Sequence, residues 1–244
     1  PEGNTGTGRD EKPVDNITPT VEIQLEGSGP DGVYNESEIV NGEVPAKVTL
    51  DKDTVKVGDT LVVKTPDGNV LLDRPVTQDD IDNGVPVQVP VTPGQTTVTV
   101  EATITDPAGN SSSSNDTKPV DNVPPVLDQL PNQEDEDADN IDLDLRQHFT
   151  DNKTPADELE IIVEGLPEGL EYDPVTGKVT GEIDKSASQN GPSSNGKYPI
   201  KVTVTDKAGN TSEAEFEWTV TNPPPVATDD TQTIDEDTVA TGNV

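Results

Sequence analysis

Two phrases, TDPAGNSS at 105–112 and TDKAGNTS at 205–212, set Asp106 and Asp206 at matching points 100 residues apart. Carboxylates and asparagine amides offer oxygen, and a hard cation such as calcium takes six to eight oxygens from carboxylates, amides and backbone carbonyls. The chain holds such oxygens in excess, with 49 acidic against 15 basic residues and a formal charge of −34. That charge opposes compactness and binding to nucleic acid, and it calls for a compensating cation. Catalysis lacks parts: there is one histidine, His148, and no cysteine, phosphate loop or nucleophile elbow. Paired carboxylates are too abundant for their spacing to mark a glycosidase pair.

Around each copy of the phrase the apolar residues alternate with polar ones. TVTVEATI (97–104) or YPIKVTV (198–204) precedes it, and a polar-proline junction, DNVPPV (121–126) or TNPPPV (221–226), follows; DNITPT (15–20) precedes the first copy. A repeat near 100 residues built on period-2 patterns predicts one β-sandwich per repeat. The fold class is therefore all-β, with tandem β-sandwich domains in an elongated array. The division expected is a linker at 1–14, one sandwich at 15–121, a second at 122–222, and the start of a further repeat at 223–244. The polar beginning and the broken-off last repeat lead us to expect an excerpt of a longer chain.

In the first sandwich the strands read TVEIQL, PAKVTL, TLVVKT, VLLDRPV, VPVQVPV, TTVTVEATI and a polar last strand near 111–120, with turns at Asp67-Gly68, Asn83-Gly84 and Pro93-Gly94. Val98, Val100, Ala102 and Ile104 share the core face of the sixth. The second sandwich reads PVLDQL, IDLDLRQHF, ELEIIVEG, LEYD, KVTGEI, YPIKVTVTD and AEFEWTV, with a hairpin at Asp173–Gly177 and Trp218 as core anchor. The stretch 184–196 suggests a mobile loop, and no segment shows a helical period.

Loops B-C, D-E and F-G share one end of a sandwich, and A-B and E-F share the other. Asp206 should then meet Asp151 and Asp157 of TDNKTPAD and the linker pair Asp121-Asn122, with Glu36 and Glu38 of YNESE facing them. Likewise Asp106, Asp51 or Asp53, and Asp15 should meet where a preceding repeat attaches. Glu134 in the A-B loop, the junction residue Asn222, and Asp229 and Asp230 of the next unit are the candidates at the lower end of the second sandwich. The densest acidic run, QEDEDADNIDLDL (133–145), mimics an EF-hand at Asp135, Asp137 and Asp139, but its sixth position is Asn140 and its twelfth is Arg146, which exclude that loop.

The motifs GVYNESEI, VGDTLVV, VTQDDIDNG and TVTVEATITDPAGNSS resemble the Ig-like extender repeats of large repetitive bacterial surface adhesins of the RTX or biofilm type. PPVLDQLPNQ, HFTDN, GLPEGLEYDPVTGKVTGEI and YPIKVTVTDKAGNTSEAEFEWTVTNPPP are similar to a dystroglycan-type cadherin-like domain, so the resemblance implies tandem Ig-like/cadherin-like β-sandwich domains, bacterial Ig-like at 15–121 and cadherin-like at 122–222. The tail PVATDDTQTIDEDTVATGNV resembles the first strand of a further cadherin-like repeat. The resemblance implies export to the surface of a Gram-negative bacterium by a type I route, and calcium at domain junctions that rigidifies a stalk for adhesion and biofilm formation. It implies Asp106, Asp206, Asp121 and Asn122 as ligand positions. Partners would be neighbouring domains of the same chain, joined through calcium, in a monomer that is neither membrane-embedded nor bound to nucleic acid. The linker departs from the cadherin pattern in having only Asp-Asn before Val-Pro-Pro. Two other readings stay open: a module binding a peptide or glycan through loop 184–196 or Tyr198, and an accessory module of a secreted polysaccharide-degrading enzyme.

Overall fold

Strands dominate, as the alternation requires. A computed structural model of the chain describes residues 12, 14–128 and 130–224. The expected start of a further repeat falls almost wholly outside these residues, as does most of the expected linker. The chain divides into two compact units, one of Pro1–Asp128, Arg146–Ile161 and Thr203–Glu213, the other of Gln129–Leu145, Ile162–Val202 and Ala214–Val244.

The first unit holds strands Val21–Leu25 (β1), Glu43–Leu50 (β2), Thr60–Lys64 (β3), Val70–Pro75 (β4), Val85–Pro90 (β5), Thr97–Thr105 (β6) and Ser111–Pro119 (β7). They form two sheets, β1-β2-β5 and β4-β3-β6-β7, each with antiparallel neighbours. This is an Ig-like sandwich, and its strands fall where the alternation places them. On β6 Val98, Val100, Ala102 and Ile104 are buried, and they pack in one cluster with Leu61, Val63, Val44 and Val48. Each Val, Leu or Ile so buried contributes about 1.5–3 kcal/mol. Two outward backbone N–H groups of β1 are taken by side chains of β7: Ile23 N donates to Ser114 Oγ at 3.4 Å and Leu25 N to Asp116 Oδ2 at 2.8 Å. Tyr34 lies fully buried beside them and donates its hydroxyl to Glu26 O. Its phenol is pushed up to about 12, first by burial and then by Asp116, Glu38 and Glu26.

One helix, Gln78–Asn83 (α1), went unforeseen. It is too short for a period to show, and Ile81 is its buried apolar residue. What makes it is a capping box, Thr77 with Asp80, and a bidentate pair in which Arg74 donates to Asp80 at 2.6 and 2.8 Å. The helix stops at Gly84, whose φ is +78° and where a Cβ would come within 2.7 Å of Val48 O.

Further along the chain run Val126–Leu127 (β8), Gln133–Glu136 (β9), Asn140–Asp144 (β10), Phe149–Thr150 (β11), Glu160–Glu164 (β12), Leu170–Asp173 (β13), Lys178–Glu182 (β14), Lys197–Thr205 (β15) and Thr211–Thr221 (β16). Their sheets have the orders β10-β14-β13, β11-β8 and β12-β15-β16-β9. The hairpin between β13 and β14 closes as expected, with Gly177 N donating to Asp173 O at 2.8 Å. Trp218 is fully buried, its ring 6.3 Å from that of Phe216.

Three expectations need correcting. The acidic run at 133–136 is a strand, not a loop. As an edge strand parallel to β16 it needs no apolar face, and Asp135 accepts the Trp218 indole N–H at 2.9 Å. His148 ends a 3₁₀ turn, Arg146–His148, that divides the expected strand at 141–149. The stretch 184–196 contains a 3₁₀ turn, Ala187–Gln189, tied down where Ser188 N and Oγ donate to buried Asp137 at 2.8 and 2.6 Å. No helix among the described residues is long and apolar enough to cross a membrane.

Candidate metal centre

The loop at 206–210, between β15 and β16, is built around one aspartate. Asn210 N donates to Asp206 Oδ1 at 2.8 Å and Asn210 Nδ2 to Asp206 Oδ2 at 2.7 Å, while Gly209 takes a φ of +87° to let the loop turn. The carboxylate is thereby fixed in a residue that is 6% exposed, and its two oxygens can accept more than these two bonds. Asn210 Nδ2 also donates to Asp121 O at 2.8 Å, which brings the linker to the loop. Asp121 N in turn donates to Tyr34 O at 2.8 Å. A second loop arrives at 151–154, where Lys153 N and Thr154 N donate to Asp151 Oδ1 at 2.9 and 2.6 Å, and Lys207 N donates to Thr154 Oγ1 at 3.2 Å.

These contacts gather Asp121, Asp151 and Asp206, all in the first compact unit, so that one carboxylate oxygen from each lies within 4.8 Å of the others. Two oxygens on opposite sides of a calcium ion would stand about 4.8 Å apart at a calcium–oxygen distance of about 2.4 Å, so the three suit one ion. Asp121 Oδ1 and Asp151 Oδ2 are buried, and no donor among the described residues reaches either. Asp121 is 5% exposed. A buried carboxylate oxygen left without a donor forfeits the hydration it had in water, which costs about 1–3 kcal/mol or more. The Asp121 carboxyl is accordingly pushed up, first by burial and further by Asp206 and Asp151, against the pull of the Lys153 ammonium. Three carboxylates and one ammonium leave two negative charges uncompensated. A divalent cation with a taste for oxygen meets both deficits, and the absence of nitrogen and sulfur donors points to calcium or magnesium rather than zinc.

Of the other predicted ligands, Asn122 is turned to the 92–94 turn, donating to Thr92 O at 3.1 Å and accepting from Gly94 N at 3.0 Å. Asp157 is exposed in the 3₁₀ turn Ala156–Glu158. Glu36 contributes its backbone, its N donating to Asn210 Oδ1 at 2.7 Å, and Glu38 Oε2 accepts from Asn35 N at 3.0 Å in a capping box. Asp106 repeats the Asp206 arrangement, with Asn110 N and Nδ2 donating at 2.9 and 2.8 Å, and these bonds hold its carboxyl below the usual range. Asp15 accepts Asn110 Nδ2 on its carbonyl at 3.2 Å and lies 3.8 Å from Lys56 Nζ. Glu134 is exposed on β9 rather than in a loop, and Asn222 is exposed beyond β16. Asp229 and Asp230 lie outside the described residues.

Sequence reasoning missed Asn210, although the repeated phrase contains it. It also missed Asn35, whose Nδ2 donates to Ala208 O at 2.9 Å, and whose signal was the Asn-x-x-Glu box of YNESE. Tyr198, read as an exposed platform for a ligand, is instead buried, and its hydroxyl donates to Ala187 O at 2.8 Å.

Residues 33–121 match the family described as "Bacterial Ig-like domain", and residues 124–221 the family described as "Putative Ig domain". No curated protein matches the chain. Among solved structures, similarity extends to a Ca²⁺-stabilized adhesin with which an Antarctic bacterium reaches out and binds ice, at 17% identity over 84% of this chain and 50% of that one, with a TM-score of 0.44. A bacterial immunoglobulin-like domain of the M. primoryensis ice-binding adhesin is 24% identical over 43% of this chain and 99% of its own length, with a TM-score of 0.29. The I67–I69 fragment of titin is 12% identical over 85% and 65%, with a TM-score of 0.44. The chain thus spans half of the first of these and less than two thirds of the third.

Proposed function

We propose that this chain is a non-catalytic, calcium-binding spacer of a bacterial surface adhesin, with Ig-like sandwiches over 15–121 and 122–222. Asp121, Asp151 and Asp206 would hold the ion, which would tie the linker at 121 to the loops at 151–154 and 206–210. The observation that carries this reading is the pair of buried, donorless oxygens, Asp121 Oδ1 and Asp151 Oδ2, in a group of three carboxylates. The motif resemblance and the bacterial Ig-like match support the adhesin setting.

The mechanism is electrostatic. Bound calcium would replace mutual repulsion with shared coordination, and it would stabilise the folded form in proportion to its occupancy. Extracellular modules bind calcium at about 10⁻⁴–10⁻³ M, which would make the joint firm outside a cell and loose inside one. Rigidity of a stalk, biofilm formation and delivery by a type I route belong to the same proposal.

The test is calorimetric titration of the chelator-stripped chain with Ca²⁺, followed by small-angle scattering with and without chelator. Saturable binding that Asp206→Asn weakens, with a scattering profile that sharpens on adding calcium, supports the reading. No calcium binding at millimolar concentration overturns it.

A further inference from the structure

The two TDxAGN loops are built alike. In both, the asparagine closes on the aspartate through N and Nδ2, at 2.9 and 2.8 Å for Asn110 and at 2.8 and 2.7 Å for Asn210. In both, Nδ2 also donates to the carbonyl of a linker aspartate, Asp15 at 3.2 Å or Asp121 at 2.8 Å. In both, a serine two residues on donates to the carbonyl of a linker proline, Ser112 to Pro19 at 2.5 Å and Ser212 to Pro125 at 2.6 Å.

What differs is the outer face. At 206–210 it is covered: Asn35 Nδ2 donates to Ala208 O at 2.9 Å and Glu36 N to Asn210 Oδ1 at 2.7 Å. Ala208 is 8% and Asn210 4% exposed. At 106–110 the corresponding Ala108 is exposed and Asn110 half-buried, and among the described residues no counterpart of Asn35 or Glu36 reaches them.

We propose that loop 106–110 is a docking surface for another Ig-like sandwich lying ahead of Asp15 in the same polypeptide. That sandwich would present an Asn-x-x-Glu 3₁₀ turn like the one at 35–38. The chemistry of recognition is a pair of acceptors, Ala108 O and Asn110 Oδ1, matched to a pair of donors, a carboxamide N–H and the backbone N–H of the next residue. Neither of these bonds involves a metal. The joint therefore engages in chelator as well as in calcium, which separates this proposal from the calcium reading.

The chain has no cysteine, so one introduced thiol reports on one position. In the intact chain, in chelator, we expect A108C to react with a maleimide at least tenfold faster than A208C. An extended chain, with residues 1–120 joined ahead of Asp15, supplies the missing sandwich, and its Val120–Asp15 connection reproduces Val120–Asp121. In it A108C should slow at least fivefold. Glu36→Pro in the added copy should restore the fast rate. Proline suits the first position of that turn and follows an extended Asn35 (ψ 177°), but it removes the donor N–H. The same substitution in the intact chain should speed labelling of A208C. Unslowed labelling of A108C in the extended chain overturns the proposal, as does slowing that Glu36→Pro leaves in place. Protection of A108C in the intact chain that rises with concentration overturns it in favour of docking by a second copy.

Discussion

Asn210 holds Asp121 by its backbone: the Asn210 amide donates to the Asp121 carbonyl at 2.8 Å, which leaves the Asp121 carboxylate free to face Asp151 and Asp206. The same amide closes the 206–210 loop and accepts from Glu36 N, so one buried side chain joins three segments. Asn210→Ala should cost about 2–4 kcal/mol, because it removes three side-chain hydrogen bonds in a buried site, to Asp121 O, Asp206 Oδ2 and Glu36 N. Asn110→Ala, in the exposed twin, should cost about 1 kcal/mol. Urea denaturation of the two variants in chelator measures the difference, and equal losses would mean that the Glu36 contact and the deeper burial of Asn210 contribute nothing.

Asp121→Asn should weaken calcium binding at least tenfold while leaving the chain as stable or more stable in chelator. The carboxamide keeps the shape but removes a buried charge that has no donor on Oδ1. Melting curves with calcium and with chelator should therefore lie closer together than those of the unsubstituted chain.

The pH dependence follows from the raised carboxyl of Asp121. A group with a folded pKa above its unfolded one binds protons more readily in the folded chain. Its stabilising contribution is thus full below about pH 4, the ordinary Asp value, and is lost as pH rises through the folded pKa. In chelator, the stability of the unsubstituted chain relative to Asp121→Asn should fall over the mildly acidic range above pH 4. With saturating calcium that trend should reverse, since the ion requires the carboxylate.

Lys153 stands in for part of the missing charge: its ammonium donates to Val120 O and pulls the Asp121 carboxyl downward. Lys153→Met should bind calcium several-fold more tightly, by removing a competing positive charge, and should melt lower than the unsubstituted chain in chelator. A variant with unchanged affinity would show that the ammonium does not bear on the site.

The sandwich was legible wherever one face of a strand is buried, because alternation records burial directly: Val98 to Ile104 and Phe216 to Val220 needed no other signal. It was illegible where backbone or side-chain hydrogen bonds replace burial. Strand β9 is polar on both faces and is held by pairing with β16, and α1 is held by its cap and the Arg74–Asp80 pair. The site shows the same division. Repetition drew attention to Asp106 and Asp206, and loop topology added Asp121 and Asp151. The roles of Asn210, Asn35 and the Glu36 backbone depend on which groups face one another, and spacing along a strand does not carry that information.

The side chains of Ser114 and Asp116 occupy two outward N–H groups of β1, those of Ile23 and Leu25. An open edge is where one sandwich recruits a strand from another, and similar domains strung on one polypeptide meet at high local concentration while they fold. By occupying two donors of that edge from within, at Ile23 and Leu25, the first sandwich offers its neighbours a poorer template for strand exchange.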